Sequence, residues 1–232
     1  MKAPQWTSPT MVAWIIIALA AITGGCASSP TVPDATRDDV KPNPKAEVKW
    51  VELGGKAPDD AQVQGEFHKA IAWFDRYGRS AVVMGIERSK NGDSRKALLT
   101  ADYVLWEGSA WTLQRRFKQL VDVCNFDVEL TAFAGRWSVT DLDNDGLAEA
   151  TFAWRSGCRS DIGPVSHKVL LVTSRKGEVE KFVLRGQTAV DDGSGKVVGG
   201  DYQVDPAFNQ APKSFLNHAI TVWAKTVTEK MR

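Results

Sequence analysis

From residue 69 onward, apolar and polar positions alternate in short runs separated by turn residues, the signature of half-buried strands. Ile71, Trp73 and the β-rich run 80–88 flank the turn-like Asp75-Arg76-Tyr77-Gly78. Asn91-Gly92-Asp93 is a strong turn signal. The runs 98–107 and 111–121 form a second pair, joined at Gly108-Ser109. The stretch 126–137 predicts a strand with Phe126, Val128, Leu130, Ala132 and Ala134 on one face. Further strands are predicted over 148–154, 168–173 and 181–184, the last pair turning at Lys176-Gly177. Strands this short and closely spaced predict a mainly β (α+β) domain: an antiparallel sheet, sandwich or incomplete barrel. Residues 50–64 carry no clear period, apart from an early strand near 48–53.

The pattern changes at the C-terminus. Pro212 suits the first turn of a helix, and Phe215, Ala219, Trp223 and Val227 then recur every four residues, beside Leu216 and Val222. This predicts an amphipathic helix packed on the sheet and ending in Lys230 and Arg232, whose charges suit the negative C-terminal dipole. At the other end, residues 27–48 mix Pro30, Pro33, Pro42 and Pro44 with polar side chains, so burial cannot offset ordering entropy. Such a tether, at about 3.1 Å per residue, reaches at most roughly 70 Å. Before it lies an apolar run, 11–22, too short for a transmembrane helix of about 20 residues. The expected organisation is a signal segment 1–25, a tether 26–48 and a single domain 49–232 with enough chain for a well-buried core.

Small residues, Ala21-Ile22-Thr23-Gly24-Gly25, connect the apolar run to Cys26. This stretch resembles the lipobox of diacylglyceryl-modified bacterial lipoproteins, departing from it at Thr23, where Leu is usual. The resemblance implies cleavage before Cys26 and a lipid (palmitate-bearing) anchor on its thiol, since two or more acyl chains hold a protein stably. Ala27 rather than Asp follows, which implies the outer membrane, facing periplasm or cell surface. The alternatives are an ordinary signal peptide cut near Ala27, or an uncleaved anchor.

A formal charge of +1 and the absence of any basic block argue against nucleic acid as a partner. In an exported chain the remaining cysteines, Cys124 and Cys158, are expected to pair, with two separate buried thiols as the alternative. A bridge closing 34 residues would stabilise the fold by roughly 3.5–4 kcal/mol, less any strain.

One stretch carries recognisable chemistry. In 141–149, Asp141, Asp143, Asp145 and Glu149 stand at positions one, three, five and nine, with Gly146 at the sharp turn and Leu147 placed to offer its carbonyl. Alternating carboxylates in a tight loop converge, and a hard cation such as calcium collects six to eight oxygens. The motif resembles the D-x-D-x-D-G loop of EF-hands, dockerins and FG-GAP propeller repeats. Phe152 stands where an EF-hand has its bidentate Glu, and a strand follows, so the FG-GAP type is the nearer likeness. That resemblance implies a structural Ca²⁺ held by Asp141, Asp143, Asp145, Leu147 and Glu149, on a hairpin that a Cys124–Cys158 bridge would also staple.

A wider set, Val139-Thr140-Asp141-Leu142-Asp143, Cys158, Asp161, Pro164, Arg185-Gly186, Gly199-Gly200-Asp201-Tyr202, Asp205-Pro206-Ala207-Phe208 and Ala211-Pro212, resembles a family of bacterial lipoproteins labelled surface polysaccharide biosynthesis proteins. The resemblance implies an envelope protein or polysaccharide as partner, and it brings no catalytic residue with it. His68, His167 and His218 lack a metal-binding spacing and are expected at the surface or in packing. No G-x-S-x-G elbow exists, and 192–196 reads as a hairpin turn rather than a phosphate loop. The expectation is therefore a lipid-anchored binding or scaffolding protein without catalytic residues. The alternative is a glycan or peptidoglycan hydrolase, which needs two carboxylates across a cleft.

Overall fold

The first half of the domain runs back and forth as an antiparallel meander: β1 (Lys49–Glu52), β2 (Glu66–Asp75), β3 (Gly78–Asn91), β4 (Ser94–Trp106) and β5 (Trp111–Cys124) lie side by side in chain order. The computed structural model describes residues 48–52, 56–175, 177–191 and 194–229; the stretches expected to be a signal segment and a tether, with Cys26 between them, lie outside the described residues. A second sheet has the spatial order β13 (Tyr202–Val204), β10 (Glu178–Gln187), β9 (Ser166–Arg175), β8 (Glu149–Arg159) and β6 (Asp127–Ala132). β7 (Ser138–Thr140) also pairs with β8. A small third sheet joins β12 (Val197–Gly199), β11 (Ala189–Asp191) and β14 (Thr228–Glu229).

Period-two alternation explains the packing. Trp73, Val82, Met84, Leu99, Ala101 and Tyr103 of the first sheet meet Leu130, Ala150, Phe152, Leu170 and Val172 of the second in one shared core. Fully burying each large side chain here contributes roughly 1.5–3 kcal/mol. The arrangement is the expected mainly β sandwich. The other face of the second sheet is covered by α1 (Lys213–Thr226), whose Phe215, Ala219, Val222 and Trp223 pack on Val169, Leu171, Phe182 and Leu184. On the outer face of the first sheet, Ala57, Ala61 and Val63 lie over Ala70, Ala72, Ala81 and Val83. That segment crosses so closely that a Cβ on Gly85 would stand 2.2 Å from the Gln64 carbonyl oxygen, which explains the glycine.

Three expectations change. The strand predicted over 126–137 stops at Ala132: Arg136 N–H donates to the Phe133 carbonyl at 2.8 Å, closing a 3-10 turn over Ala134–Arg136. The helix ends at Thr226, because the chain turns into β14 and pairs in parallel with β11; Lys230 and Arg232 lie outside the described residues. Glu229 is held there by Arg155 and Arg159, with N–O distances of 3.4 and 2.9 Å. The Cys124–Cys158 bridge forms, with Cα atoms 5.4 Å apart, but it ties β5 to β8, one sheet to the other, rather than stapling the acidic hairpin. Among the described residues no helix is long and apolar enough to cross a membrane.

Candidate metal centre

The acidic stretch is the turn between β7 and β8, and both strand ends position it. Asp141 follows β7 directly, and Glu149 is the first residue of β8, where it is fully buried. Left-handed backbone at Asn144 (φ 60°) and Gly146 (φ 78°) folds the loop tightly. Both residue types tolerate that conformation. Asp141 sets the curl, its two carboxylate oxygens accepting from the Asp145 and Gly146 N–H groups at 3.0 Å each. Leu142 N–H donates to Glu149 Oε2 at 2.7 Å, tying the loop's start to its end.

Asp141, Asp143 and Glu149 each present a carboxylate oxygen within 4.8 Å of the others. Glu149 Oε1 and Asp143 Oδ1 are buried without any hydrogen-bond partner. At that spacing two ionised carboxylates repel by about 3 kcal/mol for an effective dielectric of about 20. Burial first, then the neighbouring Asp143, Asp145 and Asp141 charges, push the Glu149 carboxyl up to about 8, against the Leu142 hydrogen bond. The Asp143 carboxyl is raised by burial and by Asp145, opposed by Arg175. A cation bound here would displace a proton, so its affinity rises with pH.

Of the five residues expected from the sequence, three bring carboxylates together: Asp141, Asp143 and Glu149. Asp145 is spent on the loop itself, with Oδ1 accepting from Leu147 N–H at 2.9 Å and Oδ2 lying 3.7 Å from Arg175. Leu147 is in the loop as expected, with its side chain buried. Three residues that sequence reasoning missed complete the surroundings. Arg175, at the end of β9, bonds to Asp143 and lies 5.1 Å from the Phe215 ring of α1. Arg76, in the β2–β3 turn, donates to the Asp145 carbonyl from its side chain (2.8 Å) and to the Gly146 carbonyl from its backbone (3.0 Å). Asp75 accepts from Ala148 N–H at 3.2 Å, Trp73 Nε1 at 3.1 Å and Tyr77 N–H at 2.9 Å; burial raises its carboxyl above the usual range.

The donor set is all oxygen and acidic, which suits a hard divalent cation and offers nothing to a soft one. Elsewhere, Ser138 and His218 share a 3.1 Å hydrogen bond that ties β7 to α1. His167 is buried and bonded to Thr226 at 3.0 Å, and β11 pairs with β12 around the 192–196 turn, of which residues 192 and 193 lie outside the described set. Comparison with protein-family models, with curated proteins and with solved structures yields no match.

Proposed function

We propose that this is a lipid-anchored envelope protein whose β-sandwich serves as a binding or scaffolding module, with the acidic loop held by a structural calcium ion. One observation carries the calcium reading: Glu149 is fully buried with Oε1 unpartnered beside the Asp141 and Asp143 carboxylates. A buried, unpaired carboxylate is costly unless it is protonated or meets a cation. Calcium accepts irregular oxygen cages completed by carbonyls and water, whereas magnesium demands near-octahedral geometry at about 2.0–2.1 Å. Its role would be structural, because the loop docks on the β2–β3 turn through Arg76 and Asp75.

The hydrolase alternative calls for two carboxylates across a cleft. Each of four clefts among the described residues is lined by at most one acidic side chain. The resemblance to polysaccharide-biosynthesis lipoproteins points to an envelope glycan or protein as the partner.

Calorimetry tests the metal. Calcium is expected to raise the melting temperature of the wild type and to leave Asp143→Ala unchanged; a wild type indifferent to calcium sinks the reading. The anchor is tested separately by partition. Full-length protein expressed in a bacterial host is expected in the detergent phase, and Cys26→Ser in the aqueous phase. A Cys26→Ser variant that stays with detergent overturns lipidation there.

A further inference from the structure

The edge strand β5 lies against the inner face of the second sheet, and between them opens a cleft of about 220 Å³. Its floor is apolar, made by Phe117, Trp154, Leu170 and Val183 of the shared core. Strand alternation should continue that apolar face along β9 and β10. Instead, Lys168 precedes Leu170 and Val172 on one strand, while Lys181 and Arg185 flank Val183 on the other. Lys168 and Arg185 are direct cross-strand partners, with Trp154 opposite Lys168 on the far side. Like charges set directly opposite each other are destabilising, and here Lys168 is half-buried while Arg185 reaches solvent.

The neighbouring acids do not balance this charge. Asp205 pairs with Arg185 at 2.8 Å, and Asp102 with Arg116 at 2.6 Å. Among the described residues, Lys168 donates to a neutral amide, Gln119 Oε1, at 2.6 Å and forms no ion pair. Lys181 forms no ion pair with any described residue, and the cleft lining includes no carboxylate. Burial, then Arg185 and Lys181, lower the Lys168 ammonium below its ordinary range, the direction expected for a site short of negative charge. Lys168 and Arg185 also line an adjoining groove of about 430 Å³ with Ser166, Gln187, Asp201, Tyr202 and Gln203, so the cleft opens onto room for more than one small anion.

We propose that this cleft is a binding site for a ligand bearing two or more oxyanion groups, carboxylate or phosphate, seated between β5 and the Lys168 and Lys181 side chains of the second sheet. A bound polyanion supplies the missing countercharge over an apolar floor, where electrostatic attraction is screened less than at an open surface. The site is separate from the acidic loop and does not depend on a metal.

Isothermal titration in the presence of a chelator tests it, with pyrophosphate, hexagalacturonate and neutral maltohexaose as probes. At least one charged probe is expected to bind saturably, about tenfold more weakly at 0.5 M salt than at 0.05 M. Whichever charged probe binds more tightly identifies phosphate or carboxylate as the group recognised. The double variant Lys168→Gln/Lys181→Gln should lose at least tenfold in affinity. Lys96→Gln, outside the cleft and paired with Asp122 at 3.2 Å, should bind as the wild type does. Because Lys181→Gln relieves repulsion, its ligand-free melting temperature should be no lower than that of the wild type. The proposal is overturned if neither charged probe binds, if maltohexaose binds equally well, or if the cleft variants bind undiminished.

Discussion

His167 sits between two aromatic rings, 5.6 Å from Phe133 and 4.6 Å from Trp223, with Nε2 sharing a hydrogen bond with the Thr226 hydroxyl. Burial drives its pKa down to about 4 from the ordinary 6.5. Between those values the unfolded chain binds a proton that the folded chain refuses. The stability tied to this group is therefore complete above pH 6.5 and lost as the pH falls towards 4, on the order of 3 kcal/mol in all. Urea unfolding at pH 7, 5.5 and 4.5 should show that fall in the wild type and a much flatter one in His167→Gln. Equal acid sensitivity in both would remove His167 as the cause. The sequence placed this histidine no further than surface or packing. The acidic loop was far more legible, because its carboxylates stand in one contiguous stretch with a glycine at the turn. Its supports were not: Arg175 lies 32 residues from Asp143, Arg76 69 from Asp145 and Asp75 73 from Ala148, so only the fold brings them together.

At the scale of elements, α1 shows how periodicity becomes stability. Its four-residue apolar repeat was readable, and the same residues cover the second sheet. Phe215 is fully buried, 5.3 Å from the Phe182 ring, and it also carries the Arg175 guanidinium that bonds to Asp143. Phe215→Ala should cost about 3–5 kcal/mol by chemical denaturation, through lost burial and the cavity left behind. A loss below about 1 kcal/mol would mean that the helix contributes little to the fold. The long hairpins were equally legible, since their turns carry Asn91-Gly92-Asp93 and Gly108-Ser109 between clear alternations. The third sheet was not, because strands of two or three residues, such as β11 and β14, are too short to show a period. Nor does alternation locate the crossing of Gln64 over Gly85, which depends on a close backbone approach between separate segments.

For the whole domain, the question is what holds the two sheets together. β8 has one fastening near each end. At Ala148–Glu149, the acidic loop docks on the β2–β3 turn of the first sheet; at Cys158, the disulfide reaches β5 of the same sheet. At about 3.4 Å per residue these points lie roughly 30 Å apart. The bridge acts mainly by restricting the unfolded chain, while the proposed cation would act on the native state by countering repulsion among the loop's carboxylates. Sites so distant, with no shared partners, should contribute additively. Removing the disulfide as Cys124→Ala/Cys158→Ala should cost roughly 3–4 kcal/mol, a little less than the chain-entropy value if packing adjusts. In saturating calcium, Asp143→Ala should lose the calcium contribution. Combining the changes should give the sum of the two losses to within about 0.5 kcal/mol. Denaturant titrations of the four proteins in such a cycle measure the coupling directly. A coupling above about 1 kcal/mol would show that the fastenings act as one unit through β8, and that the sandwich is not pinned independently at its two ends.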